Sequence, residues 1–118
     1  MPVVVRPDPA PPMSVQIATR VFGSELLVAL IRHYRANPGL QKEAAAALGV
    51  PVQAVSTNTR ILVEAGVVVG DPAPRGGRPG RWIVNEDRTL ELARELITYT
   101  LDNTANLDAP EIGSKETS

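Results

Sequence analysis

The strongest constraint on the fold lies in residues 43–68, where two helical stretches are separated by only Gly49-Val50-Pro51. Residues 40–48 are short and alanine-rich, so intrinsic helix propensity is high and the small side chains let a neighbour approach closely. Gly49 stands where a left-handed backbone turns the chain sharply. Val50 supplies an apolar plug, and Pro51 suits the first turn of a new helix. The second helix is expected to run to about Ala65 and to end at Gly66. Ala45 and Leu48 on the first helix, Val50 in the turn, and Val55 and Leu62 on the second can then form one buried seam that fixes the two helices at a steep angle.

The flanking sequence extends this unit on both sides. Upstream, residues 14–22 suit a short lead-in helix that breaks at Gly23. Ser24 can cap the next helix, whose first turn holds Glu25, a carboxylate at the positive end of the helix dipole. Leu27, Leu30, Ile31 and Tyr34 recur at helical spacing and give it one apolar stripe, and Asn37-Pro38-Gly39 stops it. Downstream the period changes. Val67-Val68-Val69 and Trp82-Ile83-Val84 are β-prone runs around a loop rich in Gly, Pro and Arg, the pattern of a hairpin. Helical spacing returns over residues 89–101 through Leu90, Ala93, Leu96, Ile97 and Leu101. The expected class is mainly α with a small β-hairpin and an additional C-terminal helix.

One domain is expected, over residues 14–102, because 118 residues leave little room for a second core. Prolines at 2, 7, 9, 11 and 12 make residues 1–13 a flexible arm. Residues 103–118 are polar and acidic without an apolar period, and are expected to be a disordered tail.

Glu43-Ala44-Ala45-Ala46-Ala47-Leu48-Gly49-Val50, then Val55-Ser56, then Ile61-Leu62-Val63-Glu64-Ala65-Gly66-Val67-Val68 resemble the winged helix-turn-helix core of bacterial regulators of the ArsR and MarR type. In those proteins a leucine-glycine turn precedes the recognition helix and glutamate-alanine-glycine closes it. The similarity covers about half of the chain. It implies a bacterial transcriptional regulator, a repressor that binds a double-stranded DNA operator and dimerises through its terminal helices. Thr59 departs from the pattern by standing where leucine is usually buried, which predicts a thinner core there. Ala44 likewise replaces a larger apolar residue, and Pro51-Val52 replaces the usual polar opening of the recognition helix.

On this pattern the second helix directs Gln53, Ala54, Thr57, Asn58 and Arg60 outward. Gln and Asn can bond adenine through two atoms at once, and Ala or a Thr methyl can meet the methyl of thymine. Ser56 and the helix's own first amides suit phosphate. A polar helix face is often no more than a solvated surface; the preceding turn and following hairpin are what assign this one to DNA. In the loop, Arg75, Arg78 and Arg81 stand among glycines and prolines, a composition suited to the narrow minor groove and its enhanced negative potential. Arg60 has Glu64 as an alternative partner one turn along.

The remaining composition closes other routes. Cysteine is absent and His33 is the sole histidine, so no metal site, disulfide or thiol chemistry is expected. The Gly76-Gly77 pair is not followed by the Lys-Ser/Thr of a phosphate loop, and the acidic residues show no catalytic pairing. No enzyme activity, catalytic residue or cofactor is expected. No apolar run is long enough to span a bilayer and no secretory leader pattern is present, which predicts a cytoplasmic protein, nucleoid-associated when bound to DNA, with no membrane contact. The formal net charge of −1 means that charge placement, not total charge, has to draw in DNA. The alternative is a winged helix that binds another protein and leaves DNA untouched. The last helix, with Leu92 and Tyr99 added to its stripe, carries a wider apolar face than one small core needs, as expected of a homodimer.

Overall fold

The structure, a computed structural model, describes residues 6–70 and 81–101. The elements follow in the order α1 (Met13–Phe22), α2 (Glu25–Ala36), α3 (Gln41–Leu48), α4 (Val52–Glu64), β1 (Val68–Gly70), β2 (Trp82–Val84) and α5 (Glu86–Thr100). The arm's end is tied to α1, because the Gln16 side chain donates to the Pro11 carbonyl at 2.8 Å. Ser24 caps α2 as expected, its hydroxyl accepting from the Leu27 amide at 3.3 Å. α1 and α2 diverge by 86° at the break between them. Among the described residues no single helix is long and apolar enough to cross a membrane.

The core gathers one stripe from every helix. Val21 and Ala18 of α1, Leu27, Leu30 and Tyr34 of α2, Ala44 and Ala45 of α3, Val55 and Leu62 of α4, and Leu92 of α5 are buried together with Val67 and Val68. Each large aliphatic side chain taken out of water this way contributes roughly 1.5–3 kcal/mol before the cost of ordering it. The seam expected around the turn is present: Ala45, Val55 and Leu62 are buried, and Leu48 and Val50 pack against them. The expected thin spot at Thr59 is filled differently. Thr59 is buried beside Tyr34, and their hydroxyls lie 3.0 Å apart, so a hydrogen bond takes the place of a leucine contact.

The hairpin pairs antiparallel, with Val68 opposite Val84, Val69 opposite Ile83 and Gly70 opposite Trp82. The first strand thus starts one residue later than the valine run suggests. Gly39 adds a bridge to Trp82 through both backbone bonds, Trp82 N–H to Gly39 carbonyl at 2.8 Å and the reverse at 3.3 Å. The loop that stops α2 therefore anchors the hairpin's base. α5 begins one turn earlier than its apolar period implies, because the Asn85 side chain accepts from the Arg88 amide and Glu86 and Asp87 occupy the first turn.

Candidate nucleic-acid interface

Two left-handed glycines bracket α4 and set its direction. Gly49 has φ 68° and ψ 35°, and the Val50 amide reaches back to the Ala45 carbonyl at 3.1 Å. Gly66 has φ 80°; its amide bonds to Val63 and that of Val67 to Leu62, both at 2.9 Å. The C-terminal ends of α3 and α4 are thus each closed by the doubled back-bonding that glycine permits after a helix. Pro51 caps the start of α4 from outside and does not lie in its first turn; its carbonyl accepts from Ala54 and Val55 at 3.0 and 3.2 Å.

A cation secures the other end. The Arg88 Nε of α5 donates to the Ala65 carbonyl at 2.9 Å, and its stem covers Gly66. Glu91 holds the same guanidinium at 2.9 Å. A positive group on the last free carbonyls opposes the helix's negative end. α2 and α5 are further joined by an ion pair between Arg35 and Glu86, exposed enough to contribute little to stability. Sequence periodicity gives no signal for Arg88, because its target is a carbonyl 23 residues away.

With Val55, Thr59 and Leu62 buried, the opposite side of α4 faces solvent. Gln53, Thr57 and Arg60 are exposed, Ser56 lies partly covered beside them, and Ala54 and Asn58 are half-buried on the flank. The Asn58 side-chain amide donates to the Ala54 carbonyl at 2.8 Å, so one of its donors is already committed within the helix. Arg60 forms no ion pair with Glu64; the ion pairs among the described residues are those of Arg35 and Arg88. At the hairpin's base Arg81 is exposed, with its guanidinium 3.4 Å from the Pro38 carbonyl, beside the start of α3 where Gln41 and Lys42 lie. Arg75 and Arg78 lie outside the described residues.

Three further side chains on α4 are exposed: Val52, Val63 and Glu64. α4 also differs from α2, α3 and α5 in having no acidic residue in its first turn. Such an acid would repel a phosphate placed there. His33 is half-buried, its ring edge against Tyr34 at 5.8 Å. Among the described residues no cluster of side chains is able to hold a metal ion.

Two solved structures share this arrangement of helices and hairpin. PA1607, a candidate transcription factor, is 21% identical over 84% of this chain and 68% of its own, with a TM-score of 0.53. The transcriptional regulator Tm0710 of Thermotoga maritima is 18% identical over 80% of this chain and 72% of its own, with a TM-score of 0.50. The chain has a winged helix-turn-helix fold. A third match, the MarR family protein Rv2887 of Mycobacterium tuberculosis in complex with salicylic acid, is 24% identical over 82% of this chain and 76% of its own, with a TM-score of 0.47. No family model matches the chain and no curated protein matches it in sequence. At these identities the likeness is one of fold. In winged-helix terms, α3 and α4 are the helix-turn-helix, α4 the recognition helix, and β1 and β2 the base of the wing.

Proposed function

We propose that this winged helix binds double-stranded DNA sequence-specifically and represses transcription as a dimer. The observation that carries the reading is the orientation of α4: three buried residues turn Gln53, Thr57 and Arg60 to solvent on a helix fixed at both ends. Gln53 supplies an amide for adenine, Thr57 a methyl and a hydroxyl, and Arg60 a charge for phosphate or guanine. Arg81, with Arg75 and Arg78 of the loop, supplies the minor-groove and phosphate contacts of the wing. Residues 40–84 carry five Lys or Arg against three Asp or Glu, whereas residues 85–118 carry three against eight. Attraction for a polyanion is thereby concentrated on the helix-turn-helix and wing.

The dimer rests on α5. Leu90, Ile97 and Tyr99 are exposed there, as is Leu101 just beyond its end, and Met13 is exposed on α1, which packs against α5. An apolar surface spread over two adjacent helices is expected to meet a second copy. A two-fold pair matches half-sites about 34–36 Å apart on one face of the duplex. Selection from a random duplex library tests both parts: a two-fold consensus bound by a species of twice the chain mass is expected, and no enrichment of any sequence refutes the reading.

A second reading, a winged helix that binds protein, is favoured by Glu64 on the exposed side of α4 and by the acidic excess of residues 85–118. Heparin separates the two. Retention that persists into moderate salt supports DNA binding, and elution at low salt supports the protein partner.

A further inference from the structure

Val52 opens the recognition helix and is 49% exposed, with no place in the core. At 100° per residue it lies about 20° from buried Thr59 and about 40° from Ser56, at the border between the inward side of α4 and the strip formed by Gln53, Thr57 and Arg60, and its place at the helix's first position leaves it open to solvent. Its branched isopropyl group gains nothing from the helix, since β-branched residues lose rotamer freedom there. A polar or acidic residue at this position would favour the helix end, and α4 has neither an acid in its first turn nor a side-chain cap. The chain thus presents an apolar group where a polar one is locally better.

We propose that Val52 is a specificity-determining residue that packs on the C5-methyl group of a thymine in the major groove. The inference rests on the DNA-binding reading above and adds the base class read by the helix's first turn. Among the four bases, thymine alone offers an apolar group on the major-groove edge. Position decides between Val52 and Val63, which is also exposed on α4. Val63 is near the far end, about 16 Å along the axis at 1.5 Å per residue, and the base-reading part of such helices is the N-terminal half. Gln53 beside Val52 can take the adenine of the same or a neighbouring pair, so the two side chains together favour A·T steps.

The test uses the full chain and the duplex that it selects from a random library, with each thymine replaced in turn by deoxyuridine, which lacks only the methyl. At one thymine or more, the wild-type chain is expected to bind the uridine duplex about fourfold more weakly, the equivalent of ~0.8 kcal/mol for one buried methyl-sized group. Val52→Ala is expected to bind thymine and uridine duplexes equally at that position while keeping its discrimination elsewhere. Its helical circular dichroism and melting temperature monitor folding. Val52→Ile, which keeps an apolar surface, is expected to retain the uridine penalty. Sequence-specific binding that is indifferent to every uridine, or a penalty unchanged in Val52→Ala, overturns the assignment of Val52 and leaves DNA reading by α4 intact. Failure to select any duplex overturns both.

Discussion

Replacing Tyr34 by phenylalanine deletes one oxygen from the centre of the molecule and leaves the Thr59 hydroxyl, buried on α4, without its partner. A buried neutral hydrogen bond contributes about 0.5–1.5 kcal/mol net, and a buried polar group left unpaired costs about 1–3 kcal/mol. Both side chains are fully enclosed, so water cannot replace the lost partner and the upper part of the first range applies. Tyr34→Phe and Thr59→Val are each expected to cost about 1.5 kcal/mol. The double variant removes donor and acceptor together; it is expected to cost about 1.5 kcal/mol in total, giving a coupling of about 1.5 kcal/mol. For a domain of this size each single change lowers Tm by about 8 °C. Urea unfolding at one fixed protein concentration is the assay, because the dimer proposed above would make apparent stability depend on concentration. Far-ultraviolet circular dichroism follows the helices, and the single tryptophan, Trp82 at the base of the wing, follows the hairpin. Coincident transitions justify two-state treatment. Additivity within about 0.3 kcal/mol means that the two hydroxyls do not interact, and refutes the account of how a threonine is tolerated at this buried site.

The same tyrosine gives a pH dependence: burial raises its pKa above the usual phenol value, and the Thr59 bond opposes this only in part. The folded state then holds the proton more tightly than the unfolded one, so the contribution of Tyr34 to stability is constant below pH ~10 and is lost as pH rises above it; Tyr34→Phe flattens that fall in alkaline urea titrations. Gly49→Ala places a Cβ in open space but keeps φ at 68°, so its cost is that of the left-handed backbone alone, about 1 kcal/mol in urea unfolding, with Gly49→Asn costing less. Arg88→Met keeps the stem over Gly66 and removes the guanidinium from the Ala65 carbonyl; a loss of about 1 kcal/mol is expected, together with faster hydrogen exchange in the last turn of α4. If the five Lys and Arg of residues 40–84 provide the phosphate contacts, the slope of log affinity against log salt should not exceed about 4.5 per protomer, and a steeper slope measured by fluorescence anisotropy places further contacts outside residues 40–84.

The parts of the fold that sequence makes legible are those with local causes. The stripe of Leu27, Leu30 and Tyr34 and the turn at Gly49 follow from helical period and from glycine's access to positive φ, and both appear in the structure. Features joined across long sequence separations were invisible. The bridge from Gly39 to Trp82, the bond from Tyr34 to Thr59 and the reach of Arg88 to Ala65 each pair residues whose neighbours in sequence give no hint of the partner. The start of α5 is hidden for another reason: Glu86, Asp87 and Arg88 carry no apolar side chain that would show the phase, and only the cap at Asn85 marks the boundary. On α4 the outward strip of Gln53, Thr57 and Arg60 was legible because Val55 and Leu62 fix the inward one. Asn58 shows the limit of that reasoning. Its spacing leaves it on the flank, close enough to the Ala54 carbonyl for its amide to turn back into the helix.

A recognition helix has to be rigid against rotation about its own axis, because turning it by one residue's worth, 100°, replaces the whole set of groups presented. Burial of Val55 and Leu62 fixes which side of α4 faces inward, because such a turn would bring them to solvent; directional contacts narrow the smaller rotations that remain. The hydrogen bond from Tyr34 to Thr59 is directional and lies on the inward side of α4, opposite Arg60 and Gln53. The Arg88 contact to Ala65 is directional too, and comes from a different helix at the other end. Two directional contacts from α2 and α5, separated along α4, define its rotation in a way that neither does alone. A threonine at position 59 in place of a larger apolar residue therefore gives up some packing for angular definition, and it is angular definition that the base reading proposed for Gln53, Thr57 and Val52 requires.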